Sequence, residues 1–199
     1  MSCRKLCAIS LLVCLILAGC ISLEPKPDPS RFFALTSLPR TARKAQDAAS
    51  AITLGIGPIK FPGYLDRQQL VTRASQNRFA VAENDRWAEP LEENFSRVLS
   101  QNLSILLQSD RMVAYPWERN QRPTYQVQVE VLRFEPNAEQ LVELWARWSI
   151  LDNSRKTINV KNSYLSLQAR DRSTEASVAA MSEVLANFSQ EIAAAIRLL

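Results

Sequence analysis

The sequence predicts an α+β fold: a mixed, largely antiparallel sheet with two long amphipathic helices packed on it. Three observations carry this expectation. Tyr125, Val127, Val129 and Val131 alternate with Gln126, Gln128 and Glu130, the pattern of a half-buried antiparallel strand. Leu91, Phe95, Val98, Leu99, Asn102, Leu103 and Leu106 fall on one stripe at helical spacing. Val178, Met181, Leu185, Phe188, Ile192, Ala195 and Leu199 form a second such stripe at the end of the chain.

The remaining elements follow in order. Residues 31–37 read as a short strand, and Ile52, Leu54 and Ile56 give residues 51–59 a period of two. Phe61-Pro62-Gly63-Tyr64 is a turn. Residues 69–73 and 78–82 are short strands about Ser75-Gln76-Asn77. The first helix begins between Asp85 and Pro90, because proline is tolerated in a first turn, and its stripe stops at Gln108. Met112 to Tyr115 is a strand closed by Pro116, and Pro136-Asn137 turns the chain after the valine strand. Residues 139–151 fit either period. The strand reading is preferred, because Asp152-Asn153-Ser154 is a hairpin turn between strand-like neighbours, with residues 157–168 returning. Ser173 or Thr174 caps the last helix. Its stripe reads as core packed on a sheet, with docking into a partner's groove as the rival.

Composition excludes several chemistries. The 199 residues contain no histidine and 4 glycines, so there is no Ser-His-Asp triad, no His-ligated zinc and no glycine-rich phosphate loop. Gly55-Ile56-Gly57-Pro58 is the nearest approach to such a loop, and it lacks the lysine. The carboxylates Glu89, Glu92 and Glu93, and Glu139 with Glu143, read as solvated surface, and no serine stands in a Ser-x-x-Lys frame. No metal site, cofactor or catalytic residue is expected. Nor is nucleic acid, since Arg40, Arg43 and Lys44 make only a loose basic knot in the polar stretch from Pro39 to Ser50.

The 4 cysteines lie at Cys3, Cys7, Cys14 and Cys20. Arg4 and Lys5 precede an apolar run from Leu6 to Ala18, the layout of a secretory signal peptide and too short for a bilayer span, which needs about 20 residues. Leu17-Ala18-Gly19-Cys20 resembles a bacterial lipobox. The expected organisation is a leader over residues 1–19, a lipidated Cys20 with a proline-rich linker over 20–30, and a single domain over 31–199. Cleavage before Cys20 removes Arg4 and Lys5 and no acid, which leaves 22 basic and 20 acidic side chains of the chain's 24 and 20. Prolines 25, 27 and 29 make the linker an extended spacer of roughly 3.1 Å per residue. Acyl chains on Cys20 would tether the domain to a membrane, since each buried CH₂ contributes about 0.8 kcal/mol.

Two stretches are denser than a scaffold requires. Residues 58–67 place aromatics, prolines and charges in one loop, including Tyr64, Leu65, Asp66 and Arg67. The loop either binds a partner or folds Tyr64 and Leu65 back as an apolar plug. Residues 83–90 carry Trp87, which is either a staple onto the helix's first turn or a partner hot spot.

At these stretches the chain becomes recognisable. Leu54-Gly55-Ile56-Gly57-Pro58, Pro62-Gly63-Tyr64-Leu65-Asp66-Arg67, Val71-Thr72-Arg73 and Arg86-Trp87-Ala88-Glu89-Pro90-Leu91 together resemble the ABC-type transport auxiliary lipoproteins, from Phe32 to the last helix. The resemblance implies a non-enzymatic part of a PqiABC-like intermembrane lipid-transport system. Its partners would be a PqiB-like MCE-domain protein that forms a periplasmic tunnel and, indirectly, a PqiA-like inner-membrane protein. Ile21 and Ser22 after Cys20, in place of an aspartate, imply the periplasmic face of the outer membrane. Tyr64, Leu65, Asp66, Arg67 and Trp87 are the expected docking or self-association face, and a homo-oligomer would suit a tunnel. The alternatives are a lipoprotein that braces the envelope without a transport role, and a direct lipid carrier with a large apolar cavity.

Overall fold

A computed structural model describes residues 27–40, 52–117 and 123–199. The leader, Cys20 and most of the proline-rich linker and of the 39–50 loop lie outside the described residues. The strands are β1 (Arg31–Phe33), β2 (Leu54–Lys60), β3 (Gln69–Ser75), β4 (Arg78–Trp87), β5 (Met112–Ala114), β6 (Tyr125–Pro136), β7 (Leu141–Asp152) and β8 (Thr157–Gln168). The helices are α1 (Leu91–Leu107) and α2 (Thr174–Ile196), with a 3-10 turn at Gly63–Leu65.

The expected α+β fold is present, but its strands divide into two sheets. One has the order β1-β4-β3 and the other β5-β2-β6-β7-β8. In the larger sheet β2 runs parallel to both β5 and β6, while β6, β7 and β8 form an antiparallel meander. Residues 141–152 are therefore a strand, with Val142, Leu144, Ala146, Trp148 and Ile150 buried on one face. The hairpin at its end is fixed by Asp152, whose Oδ1 accepts from the backbone N–H groups of Ser154 at 2.8 Å and Lys156 at 2.9 Å.

Both helical stripes face inward. Phe95, Val98, Leu99 and Leu103 of α1 and Val184, Leu185, Phe188 and Ile192 of α2 are fully buried. An aromatic chain runs through the centre. Phe61 meets Phe95 edge-on at 5.2 Å, Phe95 meets Phe134 at 5.3 Å, and Trp148 meets Phe188 at 6.4 Å, all within the range where edge-to-face pairs attract. Ser173 is the N-cap of α2, its Oγ accepting from Ala176 N–H at 3.1 Å. Gln108 ends α1 in a left-handed conformation with φ 51.

Four expectations need correction. The first strand stops at Phe33 instead of reaching residue 37. Beyond it the backbone bonds to helix side chains: Leu35 N–H donates to Asn94 Oδ1 at 2.6 Å, Thr36 N–H to Ser182 Oγ at 3.1 Å and Leu38 N–H to Asn102 Oδ1 at 2.8 Å. The strand expected over 78–82 runs on to Trp87, because β1 pairs with residues 85–87 and supplies a ladder for them. Consequently α1 starts later than the Asp85–Pro90 interval, at Leu91. The second helical stripe also ends short of Leu199, which lies beyond α2 and is 50% exposed. The valine strand runs to Pro136, and a bulge between Val131 and Arg133 shifts its alternation by one residue, so that Phe134 is buried.

Gly57 sits in β2 at φ 112, which L side chains rarely adopt, and a Cβ there would lie 2.7 Å from Tyr115 Cβ. Its carbonyl accepts from Gln126 Nε2 at 2.9 Å. Gly57→Ala is expected to lower unfolding free energy by about 1–3 kcal/mol, measured by urea denaturation of the two proteins.

Candidate functional site

The two stretches singled out in the sequence lie against each other. Gly63–Leu65 winds into a 3-10 turn because Leu65 N–H bonds Pro62 O at 2.9 Å and Asp66 N–H bonds Gly63 O at 3.2 Å. The following residues run beside the end of β4, where Trp87 N–H donates to Gln68 O at 2.6 Å and Gln69 pairs with Arg86. Pro90 then starts α1 with no side-chain cap, its carbonyl accepting from Asn94 N–H at 3.0 Å. Between turn and helix lies a groove of about 250 Å³, lined by Phe61, Leu65, Asp66, Arg67, Gln68 and residues 87–92.

The five expected site residues take different roles. Asp66 and Arg67 are exposed on the turn. Leu65 and Trp87 are 4% and 6% exposed and belong to the core. They reach the groove as its floor, so their share in any docking face is support from beneath. Leu65, Trp87 and Leu91 also line a second cavity of about 180 Å³ that extends to Asp85, Gln140, Thr174 and Ser177, so these three side chains form the partition between the two.

Tyr64 points away from the groove into a polar cluster. Its Oη donates to Glu135 Oε2 at 2.8 Å, and its ring stacks on Phe79 at 4.4 Å. Arg73 donates from Nε to Glu135 Oε1 at 2.8 Å, and its guanidinium lies 4.5 Å from the centre of the Phe79 ring. Phe134 N–H adds a bond to Glu135 Oε2 at 2.9 Å. The Glu135 side chain is 2% exposed and that of Arg73 14%. Burial raises the Tyr64 phenol well above its usual range, and the adjacent Glu135 charge raises it further. Burial works against the charge on Arg73, but the hydrogen bond and the negative charge of Glu135 outweigh it and raise the guanidinium.

Sequence reading missed Glu135 and Arg73 as members of this cluster. Glu135 is covered by Tyr64 and Arg73 from other elements, a contact that strand periodicity does not report. Among the described residues, no group of histidine, cysteine and carboxylate side chains is placed to hold a metal ion. Among the same residues no helix is long and apolar enough to cross a membrane.

A family model for the ABC-type transport auxiliary lipoprotein component matches residues 33–193, and the chain belongs to that family. This is a family of transport auxiliary lipoproteins, not a known family of enzymes. The fold recurs in the crystal structure of an uncharacterized protein (TM-score 0.69, 20% identity, 84% of this chain and 98% of that one). It recurs also in a Xanthomonas campestris protein of the DUF330 family (TM-score 0.63, 17% identity, 81% of this chain and 92% of that one). A more distant likeness is to a dodecameric PelC from Paraburkholderia phytofirmans (TM-score 0.40, 10% identity, 76% of this chain and 93% of that one). No curated protein matches the chain.

Removing one partner of the buried pair strands the other, which costs about 3–5 kcal/mol, while replacing both by apolar groups is often near neutral. Glu135→Leu should therefore destabilise the fold by about that amount, and adding Arg73→Met should recover most of it in thermal or urea unfolding. Tyr64 gives a pH signature. Above pH ~10 an unfolded tyrosine loses its proton while the folded Tyr64 keeps it, so the folded state binds more protons and stability falls as pH rises. Tyr64→Phe should flatten that alkaline decline while leaving its slope below pH ~9 unchanged.

Proposed function

We propose that the chain is a PqiC-like, non-enzymatic lipoprotein anchored through acyl chains on Cys20 to the periplasmic face of the outer membrane. There it docks a PqiB-like MCE-domain tunnel protein, and through it a PqiA-like inner-membrane partner, in a lipid-transport system that supports envelope integrity. The observation that carries this reading is the family match over residues 33–193, with the recognisable runs 62–67 and 86–91 folded side by side around one groove. The lipobox-like Leu17-Ala18-Gly19-Cys20 and the residues after it support the anchor and its membrane.

The two cavities beside the turn suit docking better than lipid carriage; a third, open pocket of about 320 Å³ lies on the larger sheet beside Lys60, Glu130 and Arg147 and is lined largely by polar side chains. The groove at about 250 Å³ and the inner cavity at about 180 Å³ both fall below the roughly 300–1,000 Å³ usual for drug-sized ligands. Neither would enclose a two-chain lipid. Asp66 and Arg67 present the exposed charges of the turn.

The test is co-purification of the MCE-domain protein with the full-length chain in detergent. Trp87 is unsuitable for replacement, because truncating a buried tryptophan costs about 3–5 kcal/mol of stability. Asp66→Arg with Arg67→Glu alters only exposed charge. Wild-type chain should capture the partner, and the double variant should capture it about tenfold less, as expected for the loss of one hot spot. Equal capture by a folded variant would sink the assignment of the face, and no capture by wild type would sink the docking role.

A further inference from the structure

The groove beside the turn has an apolar floor and an acidic rim. Phe61, Leu65, Trp87 and Leu91 make the floor, and Asp66, Glu89 and Glu92 stand around it with Arg67. Glu89 is engaged, accepting from Asn94 Nδ2 and Arg97 Nη2. The ion pairs among the described residues include none to Asp66, Glu92 or Glu93. Acids in a first helical turn are ordinarily favoured by the helix dipole. Here burial and the neighbouring charges of Asp66 and Glu93 nevertheless raise the Glu92 carboxyl. The carboxylates of Asp66, Glu92 and Glu93 thus stand close enough to act on one another, with Arg67 the cation beside them at the groove.

We propose that this groove binds a short segment of a protein partner in which a lysine or arginine lies beside an aliphatic or aromatic side chain. The apolar side chain enters between Phe61, Leu65, Trp87 and Leu91, and the cation settles between Asp66 and Glu92. The inference rests on the docking role proposed above and supplies the chemistry of what is docked. A volume of about 250 Å³ accepts a side chain or two. The acidic rim disfavours an anionic lipid surface and an acidic peptide alike, by like-charge repulsion. A basic partner gains both by attraction and by relieving the crowding of Asp66, Glu92 and Glu93.

The test uses the full chain in detergent and a photo-crosslinking peptide, Lys-photoleucine-Lys with blocked ends. Its control is Glu-photoleucine-Glu. Mass spectrometry should place the basic peptide's crosslinks on residues 61–68 and 87–92. The yield should fall about fivefold in Asp66→Asn with Glu92→Gln, the loss expected of two exposed ion pairs. Equal labelling by the acidic peptide, or crosslinks placed elsewhere, would overturn the proposal. Capture of the MCE-domain protein separates this inference from the docking role. If wild type and the Asp66→Asn, Glu92→Gln variant capture equally, docking stands and the groove chemistry is wrong. If neither captures while the basic peptide still labels the groove, the MCE partner is wrong and the groove's preference holds.

Discussion

Glu135 is the residue on which most of the architecture turns. Its carboxylate is buried, and a buried carboxylate is tolerated only when its oxygens are bonded. Three donors meet it: the Tyr64 phenol, the Arg73 guanidinium and the Phe134 backbone N–H. They come from three places, the 3-10 turn, the three-stranded sheet and the five-stranded sheet. The one carboxylate therefore sets the spacing of all three. Next to it Arg73 and Asn137 make an isolated bridge between the two sheets. The Tyr64 and Phe79 rings stack beside the pair, with the Arg73 guanidinium 4.5 Å from the centre of the Phe79 ring. Because Tyr64 is held from behind, the next residues are presented outward, which is how Asp66 and Arg67 come to lie on the groove's rim.

A second polar device ties down the segment that leads from the linker. An extended backbone laid on helices has no strand to satisfy it, and unpaired buried N–H groups are costly. Asn94 and Asn102, both fully buried on α1, and Ser182 on α2 accept three of these N–H groups. Asn102 also donates to Ser189 Oγ at 3.2 Å across the helix pair. Nearby, Arg31 pairs with Asp85 at 2.7 Å, and Thr174 also donates to Asp85. The hydrogen bond from Arg31 holds the Asp85 carboxyl below the usual carboxylate range, which keeps the junction of β1, β4 and α2 charged and paired. The linker thus joins the domain at β1, and the chain beyond β1 lies as a bonded strap on both helices.

These polar contacts explain which parts of the fold were legible in the sequence. Periodicity reports burial, so it marks β6 and both helices, while residues 139–151 fit either period and read as strand only from the hairpin turn that follows them. It could not report what pairs with what. The split into two sheets depends on β1 adding to residues 85–87, and three residues carry no periodic signal. Asn102 falls on the apolar stripe of α1, and its role there, as the acceptor for Leu38 N–H, is one that a stripe does not report. Trp87 and Leu65 were recognisable as special, but their burial follows from the Gln68–Trp87 backbone bond that seats them together. The burial of Glu135 under Tyr64 and Arg73 is another such pairing. Sequence located the two segments of the groove, and only the fold joined them.

The same geometry supports the proposed role in docking. A family of transport auxiliary lipoproteins supplies the context, and the groove between residues 61–68 and 87–92 supplies a defined place for contact. Amide hydrogen exchange of the full chain, with and without the MCE-domain protein, tests this most directly. Slowed exchange confined to residues 61–68 and 87–92 on addition of the partner is the expected result. Protection that falls instead on the outer face of β6–β8, with these two segments unchanged, would contradict it.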